Sequence, residues 1–426
     1  MMIQRRRLIP GIAIARTVLA FLAPGVLLHA ATFVVSPAGK DSNTGTGDAP
    51  FATLEAARDA ARKADGGPHR IVVNPGDYFL SKTFELGLQD NGLTVEGVDG
   101  GKATLYGGTP VTGWTRDGDT FWSADVAGVK EGIWDFRALV VNGRMPPRAR
   151  MPAEGTFLHK SIWNVRYLSN IAGGFERKPT AEEATTLLYD PEDIPTTLDP
   201  RNAEVRVYHM WSESLVPVAR NDTARHALIF AGKPTSPPGA FKVYKYVVFN
   251  TREGMTQPGQ WYLDRTAGKV VYWPLPEEDM SRAKVVAPRL QRIVSIMGTK
   301  EQSIEGVTLR GLGLEAATTP IDMQGSFAAG AFDGALRIEY AKGCALEQLE
   351  ICNVGGQGIQ TQRYGRTLSE CRITDCHVHH TGACGVLVSG SDLSIIGNHI
   401  HHVGVYYPSA VALHGRGISE KGLHIR

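Results

Sequence analysis

The chain reads as an all-β protein: a right-handed parallel β-helix, or solenoid, with an N-terminal capping helix and an inserted antiparallel β-sandwich. Three observations carry this reading. Similar segments recur near the end, Glu350-Ile-Cys-Asn-Val-Gly-Gly356, His377-Val-His-His-Thr-Gly-Ala383 and His399-Ile-His-His-Val-Gly-Val405. Aligned on Ile351, Val378 and Ile400 they lie 27 and then 22 residues apart, and Ile425 opens a fourth start 25 residues on. A strand, a glycine turn and another strand at that period is a coil that must stack on a neighbour to bury its apolar face. The aliphatic positions are mostly β-branched and show no helical period, which favours strands over helical repeats. Finally, the texture changes between about residues 112 and 285, where aromatic-rich, more widely spaced strands replace the coils.

The elements follow in order. Arg5-Arg6-Arg7 precedes an apolar stretch from about Leu8 to Leu28, ending at His29-Ala30-Ala31. A basic start, an apolar middle and a small residue at the cut describe a secretory signal over residues 1–30, so the mature protein is expected to be secreted or periplasmic. No later segment holds about 18 uninterrupted apolar residues, so no membrane association is expected after cleavage. From 31 to 111 come the cap and first rungs. Thr32-Phe-Val-Val35 is a strand, and Phe51 to Arg62 places Phe51, Leu54, Ala57, Ala60 and Ala61 on one helical face. Asp48 is the expected N-cap, with Pro50 just inside. Such a helix would cover the open end of the first coil.

The insertion, 112–285, carries strands such as Val205–Tyr208, Tyr244–Phe249, Trp261–Leu263 and Val270–Trp273, with hairpin turns at Asp117-Gly118 and Ala267-Gly268. All seven tryptophans fall there, where core packing accounts for most of them. Rungs resume over 286–426 and stop inside a coil at Arg426, which reads as a truncation. An open last coil would expose unpaired backbone and invite aggregation.

The 426-residue chain has a formal net charge of +2 and no basic run past its start, so nucleic acid is not an expected partner. Five cysteines (Cys344, Cys352, Cys371, Cys376, Cys384) lie in the repeat region. An exported protein permits disulfides, but an odd count leaves one unpaired, and small buried residues stacked between rungs account for them as well. No spacing resembles a zinc site.

Phe33-Val-Val-Ser-Pro-x-Gly-x-Asp41 with Pro50-Phe-x-Thr-Leu54 resembles the opening of the right-handed β-helix superfamily of secreted carbohydrate-active enzymes. Leu139-Val-Val-Asn-Gly-Arg144 with Ala149-Arg-Met-Pro152, and Trp261-Tyr-Leu-Asp264 with Val271-Tyr-Trp-Pro274, are similar to stretches of β-helical glycoside hydrolases of the xylosidase, xylanase and fucosidase type. The resemblance implies a glycoside hydrolase of plant or microbial polysaccharide. The same fold also hosts polysaccharide lyases and non-catalytic carbohydrate-binding or surface proteins.

Rung spacing suits the hydrolase chemistry. Equivalent residues one rung apart lie about 4.8 Å apart, and the two carboxyls of a glycosidase stand about 5–5.5 Å apart for retention or about 6.5–9.5 Å for inversion. Glu347, Glu350, Asp375 and Asp392 are outward candidates, with Asp322 and Asp333 in the loop before them. Asp375, Glu350 and His379 are the expected catalytic residues. His377, His399, His401, Tyr406 and Tyr407 are the expected substrate-binding residues. Alternation about inward Val378 and Ile400 turns His377, His379, His399 and His401 outward. They read as sugar-binding groups, as packing filler, or as a metal site made across two rungs. No cofactor is required for hydrolysis. A lyase could use calcium, with Arg363, Arg366 or Arg372 supplying charge, and no aspartate cluster stands out as a calcium cradle.

Overall fold

The computed structural model describes residues 30–171, 173–320, 329–361, 367–415 and 423–426. The expected signal segment, Asp322, Arg363 and Arg366 therefore lie outside the described residues, except for Ala30 at the signal's end. The rest is a parallel β-helix with an antiparallel insertion. An eight-stranded parallel sheet runs Thr32–Val35, Arg70–Val73, Thr94–Gly97, Thr308–Arg310, Ala345–Glu347, Arg372–Thr374, Leu393–Ile396 and Leu423–Ile425. Thr94 pairs with Thr308, so the rungs close up across the long insertion as if it were absent.

A second, lateral sheet stacks Gly76–Phe79, Ala103–Tyr106, Leu312–Glu315, Glu350–Val354, His377–Thr381 and His399–His401. Its register joins Leu105, Leu314, Ile351, Val378 and Ile400 in one inward column. The first four of these are at most 1 % exposed, and Ile400 packs against the same core. A third sheet, from Phe84–Leu86 to Leu413–Gly415, and a short four-stranded one complete the coil.

The corners repeat as faithfully as the strands. Gly311, Gln348, Asp375 and Gly397 all have positive φ, between 52° and 70°, at equivalent places in successive rungs. Ala316, Asn353, His380 and His402 do the same at another corner, with φ between 49° and 61°. Left-handed backbone in residues other than glycine costs on the order of 1 kcal/mol or more, and stacking against identical neighbours holds it in place. The five cysteines are buried within the stack.

The capping helix spans Leu54–Ala61 and turns Leu54, Ala57 and Ala61 into the core. Its N-cap is Thr53, whose hydroxyl accepts from the Ala56 N–H at 3.2 Å, and not Asp48. The reason lies upstream. Asp41 accepts from the Ala52 and Thr53 N–H groups at 3.0 and 2.9 Å, and the Phe51 N–H donates to Val34, so residues before Thr53 are held out of the helix.

The insertion leaves and returns side by side, Gly108–Pro110 pairing antiparallel with Val285–Pro288. It holds a larger antiparallel sheet that includes Glu204–Tyr208, Glu213–Asp222 and Lys245–Phe249, and a smaller one built on Phe121–Asp125, Trp261–Asp264 and Lys269–Tyr272. Each sheet has its own apolar core. The expected hairpin turns are present, Gly118 and Gly268 both having positive φ.

An apolar seam, in which Leu215, Val247 and Phe249 meet Phe332, Tyr406 and Tyr407, and a buried charged cluster together fasten the insertion to the solenoid. Glu204 is fully buried and receives Arg265 at 2.5 Å, Arg148 at 2.8 Å and Arg137 at 3.2 Å. Arg137 also donates to the Pro320 carbonyl at 2.8 Å and to the Tyr407 hydroxyl at 3.3 Å, both from the solenoid side. Burial alone would raise the Glu204 pKa, but the three guanidinium groups outweigh it and hold the carboxyl well below its usual range. Removing one partner of a buried ionic cluster leaves the rest uncompensated. Glu204→Ala should therefore cost about 3–5 kcal/mol in urea unfolding. Because the folded pKa is depressed, the Glu204 contribution is complete above pH 4.5, its ordinary value, and fades as the pH falls below it.

Candidate functional site

The outer face of the lateral sheet gathers most of the residues singled out from sequence. Two outward columns alternate with the inward aliphatic one. The first runs Asp77, Thr104, Gly313, Glu350, His377, His399, and the second runs Phe79, Tyr106, Glu315, Cys352, His379, His401. The predicted outward histidines are thus confirmed in register, with Glu350 directly before His377.

Imidazoles at equivalent positions stack as parallel plates. His377 and His399 have ring centroids 5.0 Å apart at 2°, His379 and His401 5.1 Å at 3°, and His380 and His402 4.8 Å at 7°. The spacing is that of the rungs themselves. Nitrogen-to-nitrogen contacts knit the columns, His377 Nε2 to His401 Nε2 at 2.7 Å and His379 Nδ1 to His380 Nδ1 at 2.8 Å. Each needs one ring to donate and the other to accept.

Glu350 anchors the upper edge of this array. Its carboxylate takes Lys102 Nζ at 2.6 Å and His379 Nε2 at 3.4 Å while its side chain stays 36 % exposed. Partial burial works to raise its pKa, but Lys102 and His379 prevail, and Glu350 is held below the ordinary carboxylate range. It is an ionised group near neutral pH, fitted to act as base or nucleophile and not as acid.

Asp375 stands two residues before His377, the ladder partner of Glu350, and turns its carboxylate toward the following rung. It sits exposed at a corner, and its Oδ1 lies over Gly397 of the following rung, 2.2 Å from where a Cβ would stand. Tyr406 and Tyr407, expected to meet substrate, are sealed under the insertion. They are 5 % and 0 % exposed, Tyr407 stacks on Phe332 with centroids 3.7 Å apart, and Arg206 donates to the Tyr406 carbonyl at 2.6 Å. Aromatic surface next to a docking domain is consumed by docking. Among the other carboxylates, Glu347 is bound by Arg310 and Arg372 at 2.7 and 2.6 Å, and Asp333 by Arg292 and Arg337 at 2.5 and 3.2 Å.

Two functional groupings were not anticipated. Glu315 lies one rung before Cys352 and two residues along from Gly313, the partner of Glu350. It is buried and accepts from Asn353 Nδ2 at 2.5 Å. Its Cα stands about 8 Å from that of Glu350, taking one rung spacing and two residues of strand rise. Aligning Leu312-Gly-Leu-Glu315 with Glu350-Ile-Cys352 would have placed it in the outward register. The second grouping is an aromatic cleft of about 350 Å³ in the insertion, lined by Tyr167, Phe175, Arg177, His209, Trp211 and Phe241. Trp211 is 54 % exposed, with Phe241 and Tyr167 at 5.0 and 5.7 Å. Core packing does not explain it, because Trp211 lies in the turn between Glu204–Tyr208 and Glu213–Asp222.

Two sets of ligating atoms lie within 4.8 Å of one another, His377 with His399 and His401, and Glu350 with Cys352 and His379. Nitrogen and sulfur donors suit a transition ion more than the oxygen-seeking calcium.

Comparison with solved structures places the fold. A structure described as a glycoside hydrolase matches with a TM-score of 0.73 at 19% identity, covering 91% of this chain and 76% of its own. A complex of XylC with xylose matches at a TM-score of 0.46 and 14% identity, covering 88% of this chain and 54% of its own. No protein-family model and no curated protein matches the sequence. At such identities the shared property is the fold.

The histidine array has a pH signature. Burial, then the neighbouring His377, lowers the His379 pKa to about 4, against the opposing pull of Glu350. An unfolded chain would take up this proton near 6.5, so the unfolded state binds more protons between those values. Stability contributed by His379 should fall as the pH drops from 6.5 to about 4 and then level off. Thermal unfolding against pH should show this limb, and His379→Gln should flatten it.

Proposed function

We propose that the protein is an exported glycoside hydrolase of plant or microbial polysaccharide, with Glu350 as its ionised carboxylate and Glu315 as the second carboxyl. The observation that supports this most directly is the diagonal of Glu315 and Glu350 on one outer face of a β-helix. With their Cα atoms about 8 Å apart on one face, two glutamate side chains can bring their carboxyls to the spacing of a retaining or of an inverting enzyme. Lys102 keeps Glu350 charged, and His379 orients it. The match to a glycoside hydrolase over most of the chain is consistent with this reading.

A non-catalytic carbohydrate-binding role is the second reading, and the aromatic cleft favours it. Half-exposed rings with a polar rim are the usual platform for a sugar face. A lyase has less support, because Arg372, its one described candidate cation, is engaged by Glu347.

A panel of xylan, fucosylated and pectic polysaccharides separates these readings. New reducing ends without the ultraviolet absorbance of unsaturated uronates indicate hydrolysis, that absorbance indicates a lyase, and retention without turnover indicates a binding protein. Glu350→Gln should lower kcat by a factor on the order of 10²–10⁴, and an unchanged kcat would remove Glu350 from the reaction. If the cleft holds the same glycan, Trp211→Ala should raise KM about 2- to 10-fold with kcat unchanged.

A further inference from the structure

We propose that His377, His399 and His401 form a three-imidazole site for a borderline divalent transition ion, zinc or copper(II), on the outer face of the lateral sheet. The side chains come from two adjacent strands. His399 and His401 are two residues apart and share the outer face, and His377 pairs directly with His399 across the ladder. One ligand nitrogen from each lies within 4.8 Å of the other two.

The geometry is close to that of a bound ion. Zinc holds imidazole nitrogens at about 2.0–2.1 Å, which sets tetrahedral ligand atoms about 3.3 Å apart. His377 Nε2 and His401 Nε2 now face each other at 2.7 Å. Opening that contact by about half an ångström, within reach of small side-chain rotations, replaces a shared proton with an ion. His402 completes the arrangement. Its Nδ1 lies 2.5 Å from His401 Nδ1, and by accepting that proton it leaves the His401 Nε2 lone pair aimed at the ion. A partner on the far nitrogen commonly fixes the tautomer of a ligating histidine.

His377 and His399 stack with planes 2° apart and His401 is inclined at 40° to both, so a shared ion requires one of the stacked rings to turn until its lone pair meets the others. His399 is exposed and the other two are half-buried, which leaves a solvent-facing fourth position for water or a sugar oxygen. An all-imidazole set selects zinc, copper or nickel over calcium and magnesium. Glu350, in register one rung before His377, adds a carboxylate beside the site, its charge shared with Lys102 at 2.6 Å.

The test uses the full chain titrated with Zn²⁺ and with Cu²⁺ near pH 7.5 by calorimetry, with electron paramagnetic resonance of the copper form. One ion per chain is expected, with nitrogen hyperfine structure from imidazole. The double variant His377→Ala/His401→Ala should lose at least about tenfold in affinity, while His226→Ala, in the insertion, should not. Should the double variant misfold, the exposed His399→Ala carries the same expectation. Binding should weaken on acidification to about pH 5.5, as protons compete for the nitrogens. Absence of saturable binding, or binding undiminished in His399→Ala and the double variant, overturns the proposal. The readout is independent of glycan turnover. A chain that binds the ion without cleaving any polysaccharide supports the site, and one that cleaves polysaccharide without binding the ion overturns it.

Discussion

Each rung of the solenoid is held by main-chain hydrogen bonds to the rungs on either side, and one register satisfies them while Leu314, Ile351 and Val378 all point inward. A slip of one residue would turn the aliphatic column outward and bury the column of Glu350, His377 and His399. That single constraint does more than stabilise the coil. It converts sequence period into vertical columns on the surface, so that residues dozens apart in the chain become neighbours at the rung spacing. The stacked imidazoles, the Glu315–Glu350 diagonal and the repeated left-handed corners all follow from it.

The docking of the insertion obeys a different logic. A charged cluster around Glu204 stands beside an apolar seam of Leu215, Val247 and Phe249 against Phe332, Tyr406 and Tyr407, and buried ion pairs are seldom the most stable solution. Their directional hydrogen bonds do specify how two sheets and a solenoid meet. Arg137 alone touches Glu204, the Pro320 carbonyl and the Tyr407 hydroxyl. An apolar contact could slide, whereas this one has to keep each guanidinium partnered. The seam also accounts for Tyr406 and Tyr407, whose rings serve packing between the two parts.

The lateral face combines groups that would repel if charged. Six histidines in contact cannot all hold protons, and burial with mutual proximity lowers the pKa of His379, His380 and His401. His379, His380 and His401 are thereby biased toward neutral donors and acceptors beside one ionised carboxylate. Such a surface can hydrogen-bond sugar hydroxyls or ligate a borderline divalent cation, and the two uses are compatible on one face.

The repeat of Ile351, Val378 and Ile400 determined the solenoid and the outward histidines, because strand alternation and rung stacking are local rules that a sequence period states directly. The aromatic texture of the insertion likewise marked its strands and its hairpin turns. The tertiary structure decided what no period encodes. Asp48 has the chemistry of a cap, yet Asp41, reaching across the turn, moved the helix start to Thr53. Asp375 has the right charge and exposure, and its corner turns its carboxylate over Gly397 of the next rung. Tyr406 and Tyr407 look like ligand-binding aromatics, and Trp211 like core, until the docking surface buries the first two and leaves the third at a cleft. In each case a contact between segments distant in sequence chose among side chains of equal local merit. A one-dimensional pattern lists the groups available to a face, and only packing determines which of them remain on it.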